Sequence, residues 1–137
     1  MLKYLGLILM IYTTSCSTRY YIVRHAEKEA AKNMMSSDVP LSAEGVERAE
    51  ALKETLKHSK IQAIYSTNYI RTKSTAEPLS QLIRVPVQIY KSGDTSFINQ
   101  LKSINKRKVL VVGHSNTVDD IINGITGEIA MSDLPET

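Results

Sequence analysis

The stretch Val109-Leu110-Val111-Val112 constrains the fold more than any other in this chain. Aliphatic residues in unbroken succession leave no wet face, which suits a strand covered on both sides in the centre of a parallel sheet. The run stops at Gly113-His114-Ser115-Asn116, where a turn and an imidazole replace the apolar side chains. A second run, Tyr20-Tyr21-Ile22-Val23, reads as another buried strand, and it breaks into Arg24-His25-Ala26-Glu27-Lys28. Its aromatic and β-branched residues fit a pleated, covered surface.

Between these two runs, helical and strand patterns alternate. After a polar surface loop from Glu29 to Pro40, Leu41-Ser42 opens a helix with Ser42 as its N-cap. Val46, Ala49, Leu52 and Leu56 form its apolar face, and Glu47, Glu50, Lys53, Glu54 and Lys57 its wet side. Ile61 to Tyr65 reads as a strand, and Tyr69 to Ile83 as a helix that Pro78 should kink or split. Val85 to Tyr90 reads as a strand that Pro86 places at an edge or a strand start. A turn at Ser92-Gly93-Asp94 leads into a helix from Ser96 to Ile104, and Asn116, with Asp119 three residues on, caps a last helix from Thr117 to Gly124. This alternation predicts an α/β fold, a mostly parallel central sheet with helices on both faces.

The 137 residues suit one domain, and 42% hydrophobic with 23% charged residues is an ordinary globular balance. The net charge of +3 is scattered; Lys106-Arg107-Lys108 reads as a solvated turn, and with no tryptophan and one phenylalanine there is little to stack on bases. No nucleic-acid partner is expected. Residues 1–16 read as a leader: Lys3 is a positive start, and Leu5 to Tyr12 an apolar core too short to span a bilayer. Thr13-Thr14-Ser15-Cys16 resembles a bacterial lipoprotein signal, although Thr13 stands where an aliphatic residue is usual. That resemblance implies lipidation at Cys16, a mature domain of residues 17–137, and a membrane-anchored protein exported to the cell envelope. Cys16 is also the single cysteine, so no internal disulfide can form.

Charged and titratable groups follow three of the predicted strands: Arg24 and His25, then Arg71, then His114. Strands of a parallel sheet end along one edge, so these groups are expected to converge. Arginine forks match phosphate oxygens. A helix starting at Ser115 or Asn116 adds backbone N–H groups and the positive end of its dipole. A neutral imidazole is a competent nucleophile toward phosphorus, and the arginines and second histidine would stabilise the equatorial oxygens. His58 sits beside Lys57 at a helix end and reads as solvated. His25 and His114 come without metal-ligand spacing and with arginines that repel cations, so neither metal nor cofactor is expected.

At these residues the chain resembles the histidine phosphatase superfamily, the phosphoglycerate-mutase-like proteins. Val23-Arg24-His25-Ala26-Glu27 is similar to the opening Arg-His signature, with alanine where glycine is commoner. Pro40-Leu41-Ser42-Ala43-Glu44-Gly45 resembles the segment before the first helix. Tyr65-Ser66-Thr67-Asn68-Tyr69-Ile70-Arg71-Thr72-Lys73-Ser74-Thr75-Ala76 is similar to the second-arginine stretch, and Val111-Val112-Gly113-His114-Ser115-Asn116-Thr117 to the second-histidine motif. The resemblance runs from about residue 20 to residue 127. It implies that His25 is the phosphorylated nucleophile and that Arg24, Arg71 and His114 form the phosphate pocket; Ser115, at the helix start, and Glu27 are further candidates for binding substrate.

Two features depart from that pattern. Relatives acting on alkyl phosphates protonate the leaving oxygen with a carboxylic acid; here Asp94 is the first candidate and Glu27 the second, and a turn aspartate that caps the next helix is an equal reading of Asp94. Relatives also continue past the second histidine into further strands, whereas Gly127 to Thr137 holds no strand-like stretch, so the C-terminal edge strands are expected to be missing. The expected function is a phosphatase acting on a phosphorylated small molecule or phosphoprotein through a phosphohistidine on His25. The rivals are a membrane-anchored, non-catalytic phosphate- or phosphoprotein-binding module and a protein phosphohistidine phosphatase.

Overall fold

A computed structural model describes residues 17–30 and 38–132. Residues 1–16, the expected leader with Cys16, lie outside the described residues. Strand and helix alternate strictly: β1 (Arg19–Arg24), α1 (Ala43–Leu56), β2 (Ala63–Ser66), α2 (Ile70–Ile83), β3 (Val87–Ile89), α3 (Thr95–Ser103), β4 (Lys108–Gly113) and α4 (Ser115–Thr126). The strands form one parallel sheet in the order β1-β4-β2-β3. Among the described residues no strand follows α4.

β4 pairs on both sides, and Val109 to Val112 are each 0% exposed, as an unbroken aliphatic run requires. The alternation of side chains sorts the core into two layers. Ala63, Tyr65, Val109 and Val111 face Phe97 and Leu101 of α3 and Ile121 of α4. Ile64, Leu110 and Val112 face Leu56 of α1 and Ala76 and Leu79 of α2. Two helices therefore cover each face.

The structure corrects several local expectations. β1 is only half-buried, because β4 is its one partner among the described strands. Val46 is 52% exposed; the inward stripe of α1 runs instead through Gly45, Ala49 and Leu56. Pro78 does not split α2, which is continuous from Ile70 to Ile83. A helix-interior proline removes one backbone bond, and packing of Ala76 and Leu79 into the core holds the two halves together. α4 begins two residues before the expected Thr117, so its N-cap is His114, and Asn116 is an exposed residue within its first turn.

Candidate active site

The sheet register builds the site. Arg24 of β1 stands opposite Gly113 of β4, and the His25 amide donates to the Gly113 carbonyl at 2.9 Å, one step further. Ser66 of β2 stands opposite Val112, so His25, His114 and Thr67 follow strand ends that are level with one another. Arg71 enters from the first turn of α2. Arg24, His25, Arg71, His114 and Ser115 line one cleft of about 90 Å³, with Lys28 and Asn116. At roughly 30 Å³ per water, that is room for about three waters or one small oxyanion.

Two glycines allow this closeness. A Cβ on Gly45 would stand 2.0 Å from the Glu27 carbonyl oxygen, so only glycine lets α1 rest on the turn after His25. Ser42 ties the same junction, its amide donating to that oxygen at 2.9 Å while its hydroxyl accepts from the Gly45 amide. A Cβ on Gly113 would meet the Thr117 hydroxyl at 2.3 Å, and that hydroxyl accepts the His114 amide at the mouth of α4. Thr75 links the nucleophile turn to α2: its hydroxyl accepts from the Ala26 amide at 3.0 Å and donates to the Arg71 carbonyl at 2.8 Å.

The proton positions on the two imidazoles follow from their partners. His25 Nδ1 lies 2.7 Å from the Ala26 carbonyl oxygen, which can only accept, so Nδ1 carries the hydrogen. Nε2 is then the lone-pair nitrogen, and Arg71 Nε donates to it at 3.3 Å. The same guanidinium approaches His114 Nδ1 through Nη2 at 3.4 Å. Its plane stacks on Tyr69, with Cζ 4.6 Å from the ring centroid, while Tyr69 meets His114 edge-on at 5.0 Å. Burial lowers the pKa of His25, and the Arg71, Arg24 and Lys28 charges lower it further. Burial, then Arg71 and His25, push His114 down to about 4. Both rings are neutral at neutral pH.

Of the two carboxylate candidates, Asp94 stands away from the cleft, and Glu27 lines a depression that Arg24, His25 and Lys28 border as well. Asp94 is the N-cap of α3, accepting from the Ser96 amide at 2.8 Å, and it borders a different cavity with Tyr90, Ile98 and Ile121. Its hydrogen bonds to Ser96 hold its carboxyl below the ordinary value. The capping reading of Asp94 is thus the one its geometry matches. Glu27 lies in the wider depression beside the cleft, in an ion pair with Arg48. Burial opposes its ionisation, but its own amide and Arg48 outweigh that and lower its pKa. Both carboxyls are therefore held toward the ionised form.

Sequence reasoning missed Lys28, Thr67, Tyr69, Thr72 and Thr75. All except Lys28 lie inside the second-arginine stretch, but uncharged side chains there carry no signal until their partners are known. Among the described residues no three His, Cys, Asp or Glu side chains gather as metal ligands.

The sequence profile of the histidine phosphatase superfamily (branch 1) matches residues 20–92. The chain belongs to that superfamily. Over 70 residues it is 40% identical to the Proteus mirabilis protein named "Probable phosphoglycerate mutase GpmB", a match covering 49% of this chain and 33% of that one. It thus aligns with about a third of that relative's length. Among solved structures, the protein histidine phosphatase SixA complexed with tungstate superposes with a TM-score of 0.63 at 22% identity, covering 76% of this chain and 74% of that one. The α-ribazole phosphatase from Shigella flexneri gives 0.64 at 16% identity, with 80% of each chain covered. The phosphoserine phosphatase from Entamoeba histolytica gives 0.62 at 15%, with 81% of each covered. These similarities are to the fold.

Proposed function

We propose that this protein is a phosphatase that cleaves phosphomonoesters by way of a phosphohistidine on His25. The observation that carries this reading is the state of His25: neutral, protonated on Nδ1 by its bond to Ala26, with Nε2 turned to the Arg71 guanidinium. In the first step Nε2 attacks phosphorus, a P–N bond forms, and the ester P–O bond breaks with its electron pair leaving on oxygen. Water then attacks phosphorus, the P–N bond breaks, and inorganic phosphate departs. Arg24 and Arg71 meet the negative oxygens, and the N-terminus of α4 at Ser115 adds its dipole. Arg71 Nε donates to the nucleophilic lone pair at 3.3 Å, so attack on phosphorus requires that donor to turn to the phosphoryl oxygens.

A narrower reading, protein phosphohistidine as substrate, is favoured by one observation. Asp94 caps α3 beside another cavity, and Glu27, next to His25, is held toward its ionised form by Arg48. A departing imidazole needs less acid help, and SixA, a similar fold, is named for protein histidine phosphatase activity. The membrane anchor is also a proposal: labelling with a fatty acid in cells should mark the wild-type protein and vanish in Cys16→Ser.

The test is turnover of nitrophenyl phosphate, whose leaving group departs unaided. Hydrolysis insensitive to EDTA, with an acid-labile, base-stable adduct on rapid quench that disappears in His25→Ala, is the expected result. Phosphate binding without turnover would replace the enzyme with a binding module. A phosphohistidine peptide hydrolysed no faster than an alkyl phosphate would remove the narrower reading.

A further inference from the structure

Behind His114 runs a buried line of hydroxyl groups that ends on the backbone. His114 Nε2 lies 3.0 Å from Thr67 Oγ1, which donates to Thr72 Oγ1 at 3.0 Å. Thr72 Oγ1 in turn faces the Thr67 carbonyl at 2.9 Å and the Tyr69 carbonyl at 3.0 Å. Thr67 and Thr72 are 2% and 0% exposed, so water cannot stand in for either.

Each hydroxyl has a single hydrogen, and the arrangement that satisfies every oxygen along the line runs one way. The two carbonyls can only accept, so the Thr72 hydrogen points to them. Thr72 oxygen is then the acceptor for the Thr67 hydrogen, and Thr67 oxygen is left to accept from His114. On the other side of the ring, Arg71 can only donate toward Nδ1. The donor Arg71 on Nδ1 and the satisfied hydroxyl line on Nε2 agree on one tautomer, with the hydrogen on Nε2 and the lone pair on Nδ1. That lone pair faces the same guanidinium as the nucleophilic nitrogen of His25.

We infer that Thr67 and Thr72 are positioning residues that hold His114 as a hydrogen-bond acceptor toward the phosphoryl site. This rests on the phosphatase reading of the cleft. Arg24, Lys28 and Arg71 there can only donate, so the locked imidazole supplies a lone pair among fixed donors. Its partner is a hydrogen from the ligand: the hydroxyl of a phosphoryl group that carries a proton, or the water that attacks the phosphoenzyme. A ring turned to the other tautomer would present N–H to the donors and lose that role. Holding a catalytic imidazole in the wrong tautomer costs about 10⁴-fold in the best-studied triad.

Nitrogen-15 spectra of the full protein read the tautomer directly, with or without turnover. The His114 ring should carry its hydrogen on Nε2 in the free protein; a hydrogen on Nδ1 would overturn the inference at once. Thr67→Val, which keeps the shape and removes the hydroxyl, should mix the tautomers and slow nitrophenyl phosphate turnover by about 10-fold or more. Thr67→Ser should restore both, and Thr72→Val should give a weaker form of the same shift. Unchanged tautomers and turnover in Thr67→Val would also overturn it. An Nε2–H ring that shifts in Thr67→Val, in a protein with no turnover, would support the positioning while refuting the phosphatase reading.

Discussion

His25 and His114 stand on one edge of one sheet, with ring centroids 5.2 Å apart, and they carry their hydrogens on opposite nitrogens. The His25 hydrogen is set by the carbonyl of the very next residue. That of His114 is set by the Thr67 hydroxyl, 47 residues earlier in the turn after β2, and by an arginine 43 residues earlier. One site therefore combines a nucleophile prepared locally with a partner prepared by tertiary structure. Arg71 joins them, donating to the free nitrogen of each ring. Damage to the fold should reach His114 before it reaches the tautomer of His25.

The comparison breaks most completely at the nucleophile. His25→Ala should lower nitrophenyl phosphate turnover by on the order of 10⁴-fold or more and remove the quenched adduct, as loss of a nucleophile does elsewhere. His114→Ala should keep some adduct and slow its formation by on the order of 10²-fold. Equal losses in the two variants would show that the rings do not have different roles.

Removing the shared donor comes next. Arg71→Gln should slow turnover by about 10²–10³-fold. It should also raise both histidine pKa values, because a positive charge that penalises imidazolium is gone. The acid limb of kcat/KM should accordingly move to higher pH, which a pH–rate profile of the variant measures.

Gly45→Ala probes the His25 side alone. Its Cβ would collide with the Glu27 carbonyl, so denaturant unfolding should show a loss of about 1–3 kcal/mol. Turnover should fall while the His114 ring signals stay in place; movement of those signals would mean that the two sides are coupled through more than Arg71.

Acid should act on both rings. A histidine whose pKa is lower folded than unfolded binds more protons in the unfolded state, so stability falls as pH falls. For His114 that loss begins near the ordinary value of about 6.5 and is complete at about 4. Urea unfolding at pH 7 and pH 5 should show the drop, and His114→Gln should reduce it. For catalysis the neutral form of His25 is required, so the acid limb should lie below the ordinary histidine value.

The smallest effect should come from Asp94, outside the comparison altogether. Asp94→Ala removes the cap of α3 and should lower Tm by a few degrees, with alkyl and aryl phosphates turned over as before. Selective loss of alkyl phosphate hydrolysis would return Asp94 to the role of proton donor.

Much of this site was legible before the fold. Arg24, His25, Arg71 and His114 each follow an apolar run or open the next helix, and a parallel sheet brings such positions to one edge. Ser42 announced itself as a cap, and its role held at the Gly45 amide. Val46 misled because a helical stripe read from hydrophobicity cannot see that glycine is needed where α1 meets Glu27. Asp94 stayed open between two readings, because a carboxylate in a turn looks alike whether it caps a helix or serves a substrate; its geometry matches the cap. Thr67 and Thr72 gave no warning, since a neutral hydroxyl matters only through what it faces.

By itself the sequence determined the alternation of strand and helix, the central place of Val109 to Val112 and the kinds of group that end the strands. These depend on local patterning and on the periodicity of side chains, which neighbours in the chain suffice to set. Only the tertiary structure decided the order β1-β4-β2-β3, the seat of Arg71 between the imidazoles and the nitrogen of His114 that keeps its hydrogen. A tautomer is chosen by hydrogen-bond partners, and those of His114 come from segments that meet it only when β2 and α2 pack beside β4.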